Sequence, residues 1–297
     1  MRHVAVRPGI CDKVCMITNF PEFLNVGPDE LPQGHSVKIR VLTDMASVAA
    51  DMAATMLQAI ESAAAEGHPA TLIVPVGPVD QYPLLAAAVN DRQVSLRDVV
   101  LINMDEYLTD DDRWLPADHP LSFRGYMDRQ FYDLLEPELA PLPENRVFPH
   151  PNDPDAIGRL IEQRGGVDVC FGGIGINGHM AFNEPPEPGE IVSDDDFAEL
   201  PTRVLSLSRE TRTINANTVG GSIDVVPRRC ITVGMREILG SRAVRFYCNR
   251  PWQSAVVRRV LHGPLGAACP ASFLRNHPDA VLTIADYVAA RPDIRLR

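Results

Sequence analysis

From Thr43 the apolar positions recur at helical spacing: Met45, Val48, Ala49, Met52, Ala53, Met56, Leu57 and Ile60 fall on one face. Thr43 and Asp44 stand where a cap is needed and Gly67 where the helix should stop, so the pattern predicts one long amphipathic helix. Beyond it the pattern changes to short continuous apolar runs: TLIVPV (71–76), DVVLIN (98–103), VDVCFGG (167–173), RCITVG (229–234), AVRFYCN (243–249) and AVLTIA (280–285). Helical stretches around 82–90, 120–135, 154–164 and 251–262 separate them. Apolar runs without alternation are strands buried on both faces, and their alternation with helices implies a mostly parallel, doubly wound sheet with helices on both faces. The fold class expected is therefore α/β.

Residues 1–38 contain Pro8, Pro21, Pro28 and Pro32 and show no sustained periodicity, which suggests an irregular N-terminal arm. Residues 39–297 then form one domain, without internal repeats. The one biased stretch, PPEPGEIVSDDD (185–196), is Pro-rich and then acidic, and is expected to be a mobile surface loop. Ligands of α/β sheets bind beyond the carboxyl ends of the strands. Whatever follows Asn103 and Gly173 is where chemistry should be sought.

Composition narrows the partners. The 297 residues are 45% hydrophobic, enough for a sizeable core, and the net charge is −11. The longest basic clusters are the pairs Arg228-Arg229 and Arg258-Arg259, which argues against nucleic acid. No apolar run approaches the roughly 18–20 residues that span a bilayer, so no membrane association is expected. The start MRHVAVRPGICDK lacks the apolar core of a signal peptide, and the expected location is cytoplasmic. Cys170, Cys230 and Cys248 lie inside strand-like runs, as buried reduced thiols do. Cys11 and Cys15 form C-x3-C, but no second pair stands nearby at zinc-like spacing.

The stretch FGGIGINGHMAFNE (171–184) carries Gly173, Gly175 and Gly178 in the G-x-G-x-x-G pattern of a dinucleotide-binding turn. The residues after it argue otherwise. HMAFNEPPEPG holds three prolines and cannot continue as a crossover helix, and no strand ending in an acid follows about 20 residues on. The alternative is a loop whose glycines let the backbone approach a ligand, with His179 as a titratable imidazole and Glu184 as the carboxylate that orients it. A histidine held by a carboxylate is a common general acid/base near neutral pH. A single histidine is more often only a strand-end cap, but a second candidate shifts the balance. NMDEY (103–107) follows the strand DVVLI and puts Asp105 and Glu106 at its end, where adjacent side chains point in opposite directions. One of the two can face the cleft, and Glu106 is a candidate substrate-binding residue.

Taken together, NMDEY, HPLSF (119–123), GGIGINGHMAFNEP (172–185), ETRTINAN (210–217), ITVGM (231–235) and PASFLRNHP (270–278) resemble the glucosamine-6-phosphate deaminase/isomerase family in order and spacing. The resemblance covers roughly residues 40–290, and NGHMAFNEP is its most specific part. The related 6-phosphogluconolactonases share the G-x-G-x-x-G-H stretch but not AFNEP or NMDEY. The resemblance implies a Rossmann-like sheet and conversion of an amino-sugar phosphate, with water, to a ketose phosphate and ammonia. It makes Asp105 the base that moves a proton from C2 toward C1, and His179 the group that opens the ring at O5. Glu184 would hold the imidazole, and Asn177 is a further candidate of the catalytic group. It also implies that no metal or organic cofactor is required.

Three departures stand out. Asn177 occupies a position where many members carry Asp, and an amide can still orient a neighbour. The family's hydroxyl-rich phosphate loop after the first strand is replaced by PVGPVDQY (75–82), where Gly77 is the candidate for backbone contact with substrate. The family's Gly-Ser-x-Lys is replaced by NRPWQ (249–253), leaving Arg212 and Arg250 as candidate anion ligands. The expected ligand is a small sugar or sugar phosphate. An aldose–ketose isomerase or lactonase on another sugar, or a sugar-sensing module, are the rival readings. Relatives occur as monomers and as hexamers, so the sequence leaves homo-oligomerisation open.

Overall fold

The computed structural model describes residues 20–77 and 80–295. In chain order the strands are β1 (Lys38–Leu42), β2 (Thr71–Val74), β3 (Val100–Asn103), β4 (Asp105–Leu108), β5 (Arg146–Val147), β6 (Val169–Gly173), β7 (Arg203–Ser206), β8 (Arg229–Thr232), β9 (Ala243–Cys248) and β10 (Ala280–Ala285). The helices are α1 (Met45–Ala65), α2 (Gln81–Arg92), α3 (Phe123–Gln130), α4 (Ala156–Gln163), α5 (Asp194–Ala198), α6 (Arg209–Asn215), α7 (Met235–Leu239), α8 (Gln253–His262) and α9 (Asp286–Ala289).

Seven strands pair in the order β1-β10-β9-β6-β2-β3-β5, every pairing parallel. Every residue of β2 and β3 is buried, so the apolar runs that lack alternation are covered on both faces, as their pattern requires. The chain runs outward from β2 to β3 and β5, then returns to β6 on the other side of β2. The loops after β2 and β6 therefore diverge at a topological switch point, where an open α/β sheet leaves a crevice.

Helix α1 forms as its periodicity predicts. Val48, Ala49, Met52, Ala53, Met56, Leu57 and Ile60 are buried, and the Asp44 carboxylate caps the first turn by accepting from the Ser47 N–H at 2.7 Å. Gly67 follows with φ +87, a backbone state that favours glycine. Among the described residues no helix is long and apolar enough to cross a membrane.

Two expectations need correction. RCITVG is not a strand of the parallel sheet: β8 lies between β4 and β7 in a separate three-stranded antiparallel sheet. The run is apolar because this small sheet has its own core of Tyr107, Leu115, Phe182, Leu207, Ala216, Val226 and Cys230. The acidic end of 185–196 is also not loop. Ser193 caps α5 by accepting from the Asp196 N–H at 3.0 Å, and the three aspartates occupy its first turn, where the helix dipole favours negative charge. Residues 20–37 form 3-10 turns without strand or α-helix, and residues 1–19, with Cys11 and Cys15, lie outside the described residues.

Candidate active site

Where β3 ends, the chain leaves the parallel sheet at Met104. Its N–H donates to the Val74 carbonyl (2.9 Å) and its own carbonyl accepts from Val233 N–H (2.7 Å), so this residue belongs to both sheets. Asp105 is the first residue of β4, paired with Thr232 of β8, and its side chain lines the cleft between the two sheets. Only 7% of Asp105 is exposed. Burial, and then the charge of neighbouring Glu106, raise its pKa to about 8.

Glu106 points the other way, as alternation along a strand demands. It is fully buried and accepts from the backbone N–H of Tyr107, Phe123 and Arg124, each at 2.9 Å, and from Ser122 Oγ at 3.0 Å. Its expected place among the substrate-binding residues is thus corrected: its carboxylate is engaged by the start of α3 and by Tyr107 of its own strand, and it does not line the cleft.

The loop after β6 closes on itself. Gly175 N–H donates to the His179 carbonyl (2.9 Å) and Gly178 N–H to the Gly175 carbonyl (3.0 Å). Gly178 has φ +92, and a Cβ there would stand 2.5 Å from Cys269 Sγ. At Gly175 an added Cβ would lie 2.0 Å from the His179 ring, so glycine here makes room for the imidazole. Ala181, at φ 52, completes the turn in a backbone state uncommon for a residue with a side chain.

His179 Nδ1 is 2.8 Å from Asn177 Oδ1, 3.2 Å from Thr211 Oγ1 and 3.4 Å from Glu184 Oε2. Asn177 Nδ2 donates to Glu184 Oε2 at 2.6 Å, which fixes the amide's orientation and turns Oδ1 toward the imidazole. The ring then carries its proton on Nδ1, and Nε2 is the basic atom of the neutral form. Burial alone would raise the Glu184 pKa, but His179 above all, with Asn177 and Thr211, donates to the carboxylate and lowers it to about 2. Glu184 thus holds the imidazole both directly and through Asn177. Thr211 was not singled out from sequence, although it stands within ETRTINAN, and its position beside Ser208, the cap of α6, is a local signal of order.

The cleft that unites these groups has a volume of about 470 Å³. It brings together Asp105, His179, Gly173, Gly175, Gly77 and Arg250, with Phe123, Asn215 and Thr218 on the side of the small sheet. Asn177, Gly178 and Glu184 stand behind the imidazole, outside the lining. Arg212 is the second correction. Its guanidinium donates to the carbonyls of Ile223 (2.8 Å) and Val226 (3.2 Å) and is not among the cleft-lining groups. Those bonds fasten the turn after α6, whose Ile214, Asn215, Asn217 and Thr218 do line the cleft.

At the far end, Arg250 and Trp252 precede α8. Gln253 accepts from Arg250 N–H and donates to the Ile174 carbonyl, both at 2.8 Å, which ties the loop after β9 to the loop after β6. Asn249, missed from sequence, is 3% exposed and lines the cleft, with its Nδ2 lacking a partner among the described residues. Tyr82, the one hydroxyl of PVGPVDQY, stands in the first turn of α2, is buried and donates to the Pro75 carbonyl.

A carboxylate of raised pKa and a carboxylate-held imidazole, sharing one cleft at the switch point of a parallel α/β sheet, are the equipment of an acid/base enzyme. No protein-family model matches the chain. Curated relatives include the glucosamine-6-phosphate deaminase of Cellvibrio japonicus strain Ueda107, 34% identical over 220 residues that cover 72% of this chain and 76% of that protein. That of Beutenbergia cavernae is 28% identical over 258 residues, covering 86% and 92%. Among solved structures, a monomeric glucosamine-6-phosphate deaminase superposes with a TM-score of 0.72 at 26% identity, covering 86% of this chain and all of that one. The 6-phosphogluconolactonase of Trypanosoma brucei matches at a TM-score of 0.60 and 17% identity, a likeness of fold. The chain belongs to the glucosamine-6-phosphate deaminase family.

Proposed function

We propose that the protein converts an amino sugar, with water, to the corresponding ketose and ammonia. The observation that carries this reading is the pairing of Asp105 with the Glu184–Asn177–His179 relay in one cleft. His179 moves the proton between O1 and O5 as the pyranose opens. The Asp105 carboxylate then takes the proton from C2, leaving an enolamine, and returns it to C1. The C2 imine so formed is hydrolysed, water supplying the ketone oxygen and nitrogen leaving as ammonia. A raised pKa suits Asp105 to this work, because a carboxylate of higher basicity is a stronger base once ionised, and a substrate ammonium at C2 favours that ionisation.

The test is ammonia release across a panel of phosphorylated and unphosphorylated amino sugars, with solvent-hydrogen exchange at C2 followed in parallel. Asp105→Asn should lower turnover about 10²–10⁴-fold and abolish exchange. A wild-type enzyme that hydrolyses lactones and releases no ammonia from any member of the panel would overturn the reading.

The substrate's far end is recognised, on this reading, by Arg250 and the unpartnered Asn249 amide in place of a hydroxyl-rich cradle. A phosphate dianion normally draws on several N–H and hydroxyl donors plus a cation. Here Tyr82 of α2 donates to the Pro75 carbonyl and Arg212 is held by carbonyls. Glucosamine 6-phosphate is therefore expected to be a poor substrate, with kcat/KM below about 10⁴ M⁻¹s⁻¹. Arg250→Ala should weaken inhibition by inorganic phosphate. A higher specificity constant refutes the first expectation, and unchanged inhibition the second.

A further inference from the structure

We infer that Glu106 is a positioning residue for proton transfer: its buried carboxylate locks the start of β4 to the start of α3 and so fixes Asp105 and Phe123, two walls of the cleft, against each other. The inference rests on the proposed role of Asp105 as the base.

Four donors converge on the carboxylate. Oε1 takes the N–H of Tyr107 and of Phe123, and Oε2 takes the Arg124 N–H and the Ser122 hydroxyl. All four are N–H or O–H groups, which suit the acceptor-only ionised acid; burial raises the Glu106 pKa, and these four donors oppose that rise. The Arg124 guanidinium stands 3.5 Å from Oε2 and stacks 4.3 Å above the Trp114 ring, which gives the buried anion a cation as well. Three of the donors belong to the first residues of α3 and its cap, and one belongs to the residue after Glu106 itself. The carboxylate thus joins two elements that no other described side-chain hydrogen bond of Glu106 or Asp105 connects. Phe123 N–H is held directly, and the Phe123 ring, which lines the cleft, packs on Tyr107 at 4.8 Å between centroids.

The charge has a second consequence. Tyr107 on the same strand, Tyr82 of α2 and Cys230 of β8 interact with Asp105, but burial pushes all three well above the neutral range and they carry no charge there. Among the described residues, Glu106 is the charge that acts on Asp105 after burial itself, and His179 and Arg250 line the same cleft. Removing the Glu106 charge should therefore make Asp105 easier to ionise.

The experiment compares wild type, Glu106→Gln and Glu106→Asp in ammonia release and C2 exchange over pH, with melting temperature as a control for folding. Glu106→Gln turns an acceptor into an N–H₂ that faces donors. It should lower kcat about 10–100-fold, leave KM within about threefold, and move the acid limb of kcat/KM down by about one pH unit. Glu106→Asp keeps the charge but withdraws it from the donors, so kcat should fall while the limb stays at its wild-type pH. If the glutamine variant does not fold, the aspartate variant decides: wild-type kcat in it overturns the inference. Wild-type kcat with an unmoved limb in Glu106→Gln does so equally. Retention of C2 exchange in Asp105→Asn would instead sink the assignment of the base, a separate outcome.

Discussion

The raised pKa of Asp105 makes a quantitative demand on the pH–rate profile. An ordinary aspartate titrates near 3.9, and its acid limb would be complete below pH 6. In this cleft burial, and then the Glu106 carboxylate beside it, raise the pKa to about 8, and among the described residues none donates a hydrogen bond to the carboxyl. About 1% is then ionised at pH 6 and half at pH 8. If the ionised form is the base, kcat/KM, which reports the free enzyme, should rise about 50-fold between those two pH values. The assay is coupled ammonia release at substrate concentrations far below KM, from pH 5.5 to 9.5. In Asp105→Asn the limb should vanish with the activity. Stability supplies an independent reading. The folded pKa is raised above the unfolded value, so Asp105 favours the folded state when protonated, below about pH 4, and that contribution is lost as pH rises through about 8. Over this window the loss is on the order of a few kcal/mol, so Asp105→Asn should gain in melting temperature over wild type as the pH is raised. A wild-type limb near pH 4, or a variant whose advantage does not grow with pH, would refute the reasoning.

The relay and its loop lead to two further outcomes. His179→Gln should harm reaction from the closed ring more than from an open-chain analogue, and Glu184→Gln should show a milder form of the same defect; equal losses on both substrates would show that the pair does not open the ring. Gly175→Ala places a Cβ where the imidazole now stands, 2.0 Å from its atoms, and should cut kcat about as deeply as loss of His179, on the order of 10²-fold or more. Near-wild-type turnover in that variant would mean that the ring has another productive position.

Sequence alone carried much of this molecule because two of its signals are local. The period of Val48, Met52 and Met56 is a property of one helix, and the unbroken apolar runs of β2 and β3 report burial on both faces without reference to any partner. The catalytic candidates were legible for a similar reason: Asp105, His179 and Glu184 follow or flank strand ends, where an α/β sheet opens, and the motifs NMDEY and NGHMAFNEP keep them in short contiguous stretches. What sequence could not decide was direction and company. Alternation says that Asp105 and Glu106 face opposite ways but not which of them meets the cleft; the docking of β4 on β8 and of α3 on Glu106 settles that. RCITVG is as apolar as a parallel strand, and only its pairing places it in the small antiparallel sheet. Arg212 reads as an anion ligand until the turn at Ile223 and Val226 is folded beneath it and engages its donors. Thr211 and Asn249 are ordinary polar residues in the chain, and they become part of the site because α6 and the loop after β9 bring them to it from distant positions. Such contacts depend on pairings between segments far apart in the chain, whose energies come from burial and hydrogen bonding in the assembled fold and leave no periodic trace in the sequence.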